Sequence, residues 1–103
     1  MSAPSSFGFT RNASHVYFSA CFSVHASADP SIMPRVMAVF ARRNLVPSQW
    51  HSTLCGSRRD ELEIDVQLDS VEPAVADRIA AILRQIVGVE RVLTSEKRLS
   101  PAA

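Results

Sequence analysis

One short pattern occurs twice along this chain, and it limits the fold more than any other feature. The pattern consists of an alternating strand, a turn, an amphipathic helix that ends at a cap residue, and a second strand. Residues 16–55 contain it once and residues 61–96 contain it again. Two such halves interleave into one split βαβ unit. The sequence therefore predicts an α+β fold, a βαββαβ sandwich in which a four-stranded antiparallel sheet carries two helices on one face.

The strands are predicted from alternation of apolar and polar side chains. Residues 61–69 alternate most strictly, and their inward side chains are Leu62, Ile64, Val66 and Leu68. The segment that starts at Val16 alternates in the same way, with Phe18, Ala20, Phe22 and Val24 inward. Residues 46–55 and 89–95 are the remaining strands. Because Pro47 lacks a backbone N–H donor, strand 46–55 is expected at the edge of the sheet.

Two helices are predicted from apolar side chains three and four positions apart. The first stripe consists of Ile32, Val36, Val39 and Phe40, widened by Met33 and Met37. The second stripe consists of Val75, Ile79, Ile82, Leu83 and Ile86. Asn44 and Gly88 follow the two helices, and each can adopt the left-handed conformation that ends a helix.

Composition leaves room for one domain and disfavours several classes of partner. The chain has 103 residues, 47% of them hydrophobic, which suffices for a single core. The formal net charge is only +1, so we expect no binding to nucleic acid or to a membrane surface. The two cysteines, Cys21 and Cys55, are too few for a disulfide scaffold, which predicts reduced thiols and a cytoplasmic location.

The two ends of the chain are predicted to lie outside the folded domain. Residues 1–14 are rich in Ser, Gly, Ala and Pro without a period, which indicates a flexible N-terminal arm. Residues 97–103 form a polar segment that is predicted to be a flexible C-terminal tail. The folded domain is therefore expected over residues 15–96.

The histidines are the first candidates for a catalytic or metal site. His25 and His51 are predicted on the polar face of the sheet, near Cys21 and the carboxylates of Glu63 and Asp65. No two ligands occur at a short metal-binding spacing such as Cys-x-x-Cys. A polar, solvated sheet face explains the same residues. We therefore predict no catalytic residue, no metal site and no enzymatic activity.

A different candidate site lies between the first strand and the first helix. Asp29 or Ser31 is predicted at the helix start, where backbone N–H groups and the helix dipole favour a carboxylate. These residues can simply cap the helix, or the loop can bind an amino acid. The residues alone leave both interpretations open.

Three stretches of the chain are similar to one known family. They are the turn Asp29-Pro30-Ser31-Ile32-Met33 that leads into Arg35-Val36, the run from Val39 to Val46, and the run from Leu83 to Val92. Together with the element order they resemble the ACT domain, a ferredoxin-like fold. More narrowly, they resemble the small regulatory subunit of acetolactate (acetohydroxyacid) synthase.

The resemblance implies a regulatory function rather than a catalytic one. In that family two ACT domains pair side by side, and a branched-chain amino acid, often valine, binds between them. The small subunit activates a large subunit that holds thiamine diphosphate, magnesium and FAD. The resemblance therefore implies a homodimer that binds the large catalytic subunit of acetolactate synthase and needs no cofactor of its own.

The same resemblance places an effector site at the start of the first helix. Its candidate residues are Ala28, Asp29, Ser31, Ile32 and Met33. The family's usual glycine is Ser31 here, and the asparagine of valine-sensitive members is Ala28. Because a Cβ at Ser31 restricts close approach and Ala28 offers no side-chain hydrogen bond, we expect amino-acid binding to be weak or lost.

Pairing of two copies is expected along the edge strand, because an unpaired edge would expose backbone groups and an indole ring. The candidate dimer contacts are Val46, Ser48, Trp50 and Ser52. The alternative to a regulatory subunit is a stand-alone ACT module that senses a small molecule or an amino acid. Co-purification with a large subunit would distinguish the two.

Overall fold

The computed structural model describes residues 17–99, which form six elements in the predicted order. The strands are β1 (Tyr17–Ser27), β2 (Gln49–Cys55), β3 (Glu61–Asp69) and β4 (Val89–Leu99), and the helices are α1 (Ile32–Ala41) and α2 (Pro73–Leu83). The sheet order is β2-β3-β1-β4, with every neighbouring pair antiparallel. The predicted α+β, ferredoxin-like βαββαβ fold is confirmed.

The core lies between the two helices and one face of the sheet. Its side chains from the strands are Ala20, Phe22, Val24, Ala26, Leu62, Ile64, Val66, Leu68 and Val92, and those from α1 are Ile32, Val36, Val39 and Phe40. The rings of Phe22 and Phe40 meet edge to face with their centroids 5.7 Å apart, which is a favoured aromatic geometry. The alternation in the sequence therefore identified the inward face of β1 and β3 in the described part of the chain.

The residues of helix α2 that pack against the sheet differ from the predicted ones. Its buried residues are Ala76, Ile79, Ala80 and Leu83, whereas Val75 is exposed and the prediction for it was wrong. Ile82 and Ile86 only border the core. Two alanines at the contact allow the helix backbone to approach the sheet closely, so the buried stripe follows small side chains rather than the most apolar ones.

Two predicted helix ends have the left-handed backbone that the sequence indicated. Asn44 has φ 59° and Gly88 has φ 98°. A Cβ at Gly88 would lie 2.8 Å from Cδ1 of Ile32, so a larger residue would have to displace this buried side chain as well as adopt a backbone conformation that favours glycine. The N–H of Ser27 donates to the carbonyl of Gly88 at 3.0 Å, which joins the end of β1 to the turn before β4.

Two strand boundaries differ from the predicted ones. β2 begins at Gln49, so Val46 lies outside the strand and is almost fully exposed. β4 continues to Leu99, where it pairs with Tyr17 of β1, so residues 97–99 of the predicted tail belong to the sheet. The predicted arm over residues 1–14 lies outside the described residues. Within residues 17–99, neither helix is long and apolar enough to cross a membrane.

Candidate functional site

The loop before α1 is closed by its own acidic side chain. Oδ1 of Asp29 accepts hydrogen bonds from the backbone N–H and the hydroxyl of Ser31, each at 2.9 Å. The carbonyl of Asp29 accepts the N–H of Ile32 at 3.0 Å. The Ser31 backbone hydrogen bond, followed by the hydroxyl bond, lowers the pKa of Asp29 below its ordinary value. Asp29 is therefore a carboxylate at neutral pH and occupies the start of the helix.

This arrangement reduces the capacity of the helix start to bind an external anion. The N–H groups of Ser31 and Ile32 are already engaged, and Pro34 has none. An amino-acid carboxylate placed here would also meet the negative charge of Asp29, which disfavours binding.

The remaining candidate effector residues have separate structural roles. Ile32 is buried in the core, so its side chain cannot contact a ligand at the surface. The backbone N–H of Ala28 donates to the carbonyl of Asp60 at 3.0 Å, and the Ala28 side chain is exposed. The Asp29 side chain closes the start of the helix, whereas the side chain of Ser31 at the N-cap makes no capping hydrogen bond. Among the described candidates, Met33 offers a large apolar side chain that remains accessible, beside the small one of Ala28.

Met33 links the loop to the edge of the sheet. The hydroxyl of Ser52 on β2 lies 3.4 Å from Sδ of Met33, and Nε1 of Trp50 donates to the same hydroxyl at 2.9 Å. The candidate effector loop and the candidate dimer edge therefore meet at one place in the fold. Ser48 also lies on this edge, where its N–H donates to the carbonyl of Gln67 at 2.8 Å.

An exposed apolar surface extends beyond the residues that sequence reasoning selected. Met37 and Leu54 are 50% and 46% exposed. Leu54 lies on the helix-covered face of β2, and Met37 lies one helical turn after Met33, which contacts β2. We call the group Met33, Met37, Trp50 and Leu54 the edge strip. Trp50 is half-buried because it packs partly against the core, so the expectation that this edge exposes an open indole ring was wrong. The signals that could have identified it were the four-residue spacing of the two methionines and the two-residue alternation after Trp50.

The predicted histidine and carboxylate residues do lie on one face of the sheet. His51 is directly opposite Asp65 and His25 is directly opposite Glu63. The ring of His25 also makes a 3.2 Å hydrogen bond with the hydroxyl of Ser23. Among residues 17–99, no group of three or more His, Cys, Asp or Glu side chains is arranged to hold a metal ion.

The element order and the sheet topology define a small α+β domain of the ferredoxin-like βαββαβ class. The profile of the ACT-like domain family matches residues 12–100. The chain therefore belongs to the ACT-like domain family. ACT domains are typically regulatory modules for amino-acid or small-molecule sensing rather than catalytic units. No protein among curated sequences matches the chain.

Solved structures with low sequence identity share the fold. The ACT domain from GTP pyrophosphokinase of Chlorobium tepidum matches with a TM-score of 0.64 at 10% identity, over 77% of this chain and 99% of that domain. The C-terminal domain of the MgtC protein from Mycobacterium tuberculosis also gives 0.64, at 20% identity, over 84% and 94%. A homoserine dehydrogenase from Thiobacillus denitrificans gives 0.57 at 12% identity, over 82% of this chain and 18% of that protein.

Proposed function

We propose that this chain is a non-catalytic regulatory subunit that pairs with itself along β2 and activates the large catalytic subunit of acetolactate synthase. Its effector site for branched-chain amino acids is weak or lost. The observation that carries the proposal is the exposed edge strip beside the outer edge of β2. The choice of enzyme is supported by the resemblance of residues 29–46 and 83–92 to the small subunit of that synthase.

The outer edge of β2 and the edge strip beside it support pairing, because each is a feature that single domains usually avoid. Within the described chain, the outer backbone groups of β2 have no neighbouring strand, and such an edge readily pairs with another chain. Beside it, Met33, Met37 and Leu54 are exposed, which leaves apolar surface in water. A second copy that docks at this edge would cover both features at once.

The geometry of the loop supports a weak or lost effector site. The Asp29 carboxylate binds the Ser31 N–H, which is the position that a ligand carboxylate would need. Ala28 has no polar side-chain atom to orient an amino group. Each missing hydrogen bond weakens binding by roughly 0.5 to 1.5 kcal/mol, so valine should bind about tenfold or more weakly than to a loop with these donors free.

The activating role is tested by reconstitution with the large subunit of acetolactate synthase from the same organism. Acetolactate formation should rise when this chain is added, and the two proteins should elute together on gel filtration. If the large subunit has the same activity with and without the chain and the two elute separately, the choice of partner is wrong.

Pairing along β2 is tested separately with the chain alone. Light scattering should report about twice the 11.3 kDa chain mass, and Leu54→Lys should shift the mass toward that of the monomer. Val87→Lys is the matched control, because Val87 is also an exposed apolar residue but lies outside the edge strip. Equal effects of the two substitutions would argue against a contact at this edge.

A stand-alone sensing module is the second candidate function. The described residues contain all six elements of the ACT fold, and a concavity of about 360 Å³ lies over the centre of the sheet between Cys21, His51 and Leu93. A small molecule that binds there would act without a catalytic partner. A ligand-induced rise in thermal midpoint in the isolated chain, without activation of the synthase, would favour this function.

A further inference from the structure

The sheet face that the helices leave uncovered has an ordered distribution of charge. We call it the open face; it carries alternate side chains of all four strands. β3 contributes four carboxylates there, Glu61, Glu63, Asp65 and Asp69, whereas the described side chains of β4 contribute the cations Arg91 and Lys97. One flank of β1 is therefore acidic and the other is basic.

The opposite charges lie in matching rows across the sheet. Glu63 and Arg91 are both directly opposite His25, so they share one row. Asp69 and Lys97 are both directly opposite Ser19, so they share another. In each row the acidic and the basic residue lie on opposite sides of β1, each one strand spacing of about 4.8 Å away.

The strand between these flanks carries only small side chains at its centre. Ser19, Cys21 and Ser23 of β1 point to the open face, and none of them is charged. Cys21 and Ser23 are half-buried at the bottom of the shallow concavity of about 360 Å³. Because Cys21 and Ser23 are small and partly accessible, a second surface can approach the middle of this strand closely, whereas Ser19 is already fully buried.

We propose that a second copy of this chain docks on the open face, with the two-fold axis running parallel to β1. This rotation places β1 over β1 of the second copy. It also places β3 over β4 of the second copy, and β4 over its β3. Glu63 then faces Arg91 of the second copy, and Asp69 faces Lys97 of the second copy. Symmetry repeats both pairs, so one contact contains four pairs of opposite charge.

The other two-fold arrangement of stacked sheets is disfavoured by the same charges. An axis perpendicular to the strands would place β3 over β3, and the carboxylates of the two copies would repel each other. Packed sheets cross at about 30°, which displaces the end rows by roughly one strand spacing. The long side chains of Arg91 and Lys97 can span that displacement.

The contact is expected to be weak and sensitive to salt. Strand spacing and rise give the open face dimensions of about 19 by 30 Å, which is less than the roughly 800 Å² per partner of a stable interface. Two rows lie between the charged rows; one sets Asp65 against Leu93, the other sets Gln67 against Ser95, and neither adds an ion pair. Dissociation should therefore occur at about 1 M salt, where charges are screened within about 3 Å.

The charge pairing is tested with two complementary reversals. Glu63→Lys and Arg91→Glu should each weaken self-association about tenfold or more, because attraction becomes repulsion in two of the four pairs. A 1:1 mixture of the two variants should associate again. In the mixed dimer the introduced lysine faces the introduced glutamate, and the unchanged Arg91 of one variant faces the unchanged Glu63 of the other. Sedimentation velocity at low salt measures each sample and the mixture.

Matched controls lie on the opposite side of the molecule. Asp77→Lys and Arg78→Glu make the same changes of charge at exposed positions of α2 and should leave association unchanged. Circular dichroism confirms that each variant is folded. The proposal is overturned if the wild-type chain shows no salt-sensitive association, if the two reversals fail to associate with each other, or if Glu63→Lys associates more strongly with the wild type than with Arg91→Glu.

A thiol cross-link tests the position of the axis without altering any charge. In a Cys55→Ser variant, Cys21 lies directly over Cys21 of the second copy, so a short bifunctional thiol reagent should give a covalent dimer. Pairing along β2 alone would keep the two Cys21 side chains several strands apart. A Cys21→Ser variant that retains Cys55 should give no such product, and an equal yield from both variants would contradict the proposed axis.

Discussion

The two faces of one sheet differ more than any other two regions of this molecule. On the face under the helices, β1 and β3 present only apolar side chains, and Val24 and Ile64 are fully buried. On the open face, the neighbouring residues of the same strands are serine, cysteine, histidine and carboxylates. Because neighbouring residues in a strand point to opposite faces, one short sequence specifies both a stable core and a surface suited to recognition.

Substitutions that change charge should be compatible with folding on the open face but not on the face under the helices. Apolar burial on the helix side supplies most of the stability, since each buried aliphatic side chain contributes roughly 1.5 to 3 kcal/mol. Charges on the open face remain hydrated and contribute little to folding. Substitutions on the two faces should therefore differ in what they affect: stability on one side and association on the other.

The largest expected effect is the loss of a buried side chain, compared with the loss of its half-buried neighbour on the open face. Ile64→Ala removes methyl groups from the core and leaves a cavity, so unfolding should become easier by about 2 to 5 kcal/mol. Glu63→Ala, one residue away on the open face, should change stability by about half a kcal/mol or less. Urea unfolding of the two variants measures the contrast, and equal losses would show that the assignment of faces is wrong.

A glycine at the edge of the core gives the next largest effect. Gly88→Ala places a Cβ 2.8 Å from Cδ1 of Ile32 and forces alanine into a backbone with φ 98°. We expect a destabilisation of about 1 to 3 kcal/mol, measured by urea unfolding. The double variant with Ile32→Val, which shortens the side chain at the clash, should recover the steric part of the loss but none of the backbone part.

These two cases show what the sequence could predict and what it could not. The inward side chains of β3 and the left-handed Gly88 were predicted, because strand period and helix-ending glycine are local signals. The buried stripe of α2 was misplaced at Val75, because the distance between helix and sheet selects Ala76 and Ala80, and that distance is a tertiary property. Periodicity alone does not encode it.

The candidate site was predicted in position but not in chemistry. The sequence placed Asp29 and Ser31 at the start of a helix, yet their mutual hydrogen bonds depend on a loop geometry that composition does not reveal. The edge strip combines Met37 of α1 with Leu54 of β2, which only the folded chain brings to one surface. The shared row of Glu63 and Arg91 likewise requires the register of three strands.

A moderate effect is expected from the one buried polar side chain of the open face. Ser19 is fully buried, and its hydroxyl donates to Oδ1 of Asp69 at 2.8 Å. Ser19→Ala removes this bond and should cost about 1 kcal/mol at neutral pH, as measured by urea unfolding. Ser23→Ala is a control on the same strand and face, and its effect should be smaller because Ser23 is only partly buried.

The smallest effect is a pH dependence that comes from one carboxylate of the open face, Asp69. Hydrogen bonds from Gln67 and Ser19 lower the pKa of Asp69 below its ordinary value. A carboxylate whose pKa is lower in the folded than in the unfolded chain stabilises the fold above its unfolded pKa, and this contribution disappears as the pH falls through the folded pKa. Asp69→Asn should therefore destabilise the chain at neutral pH, and the difference in stability between this variant and the wild type should shrink in acid.

Ile64→Ala removes no titrating group, so the stability that it loses should stay nearly constant over the same pH range. Thermal midpoints of both variants at a series of pH values measure the contrast, and a constant difference for Asp69→Asn would show that these hydrogen bonds do not favour the ionised carboxylate.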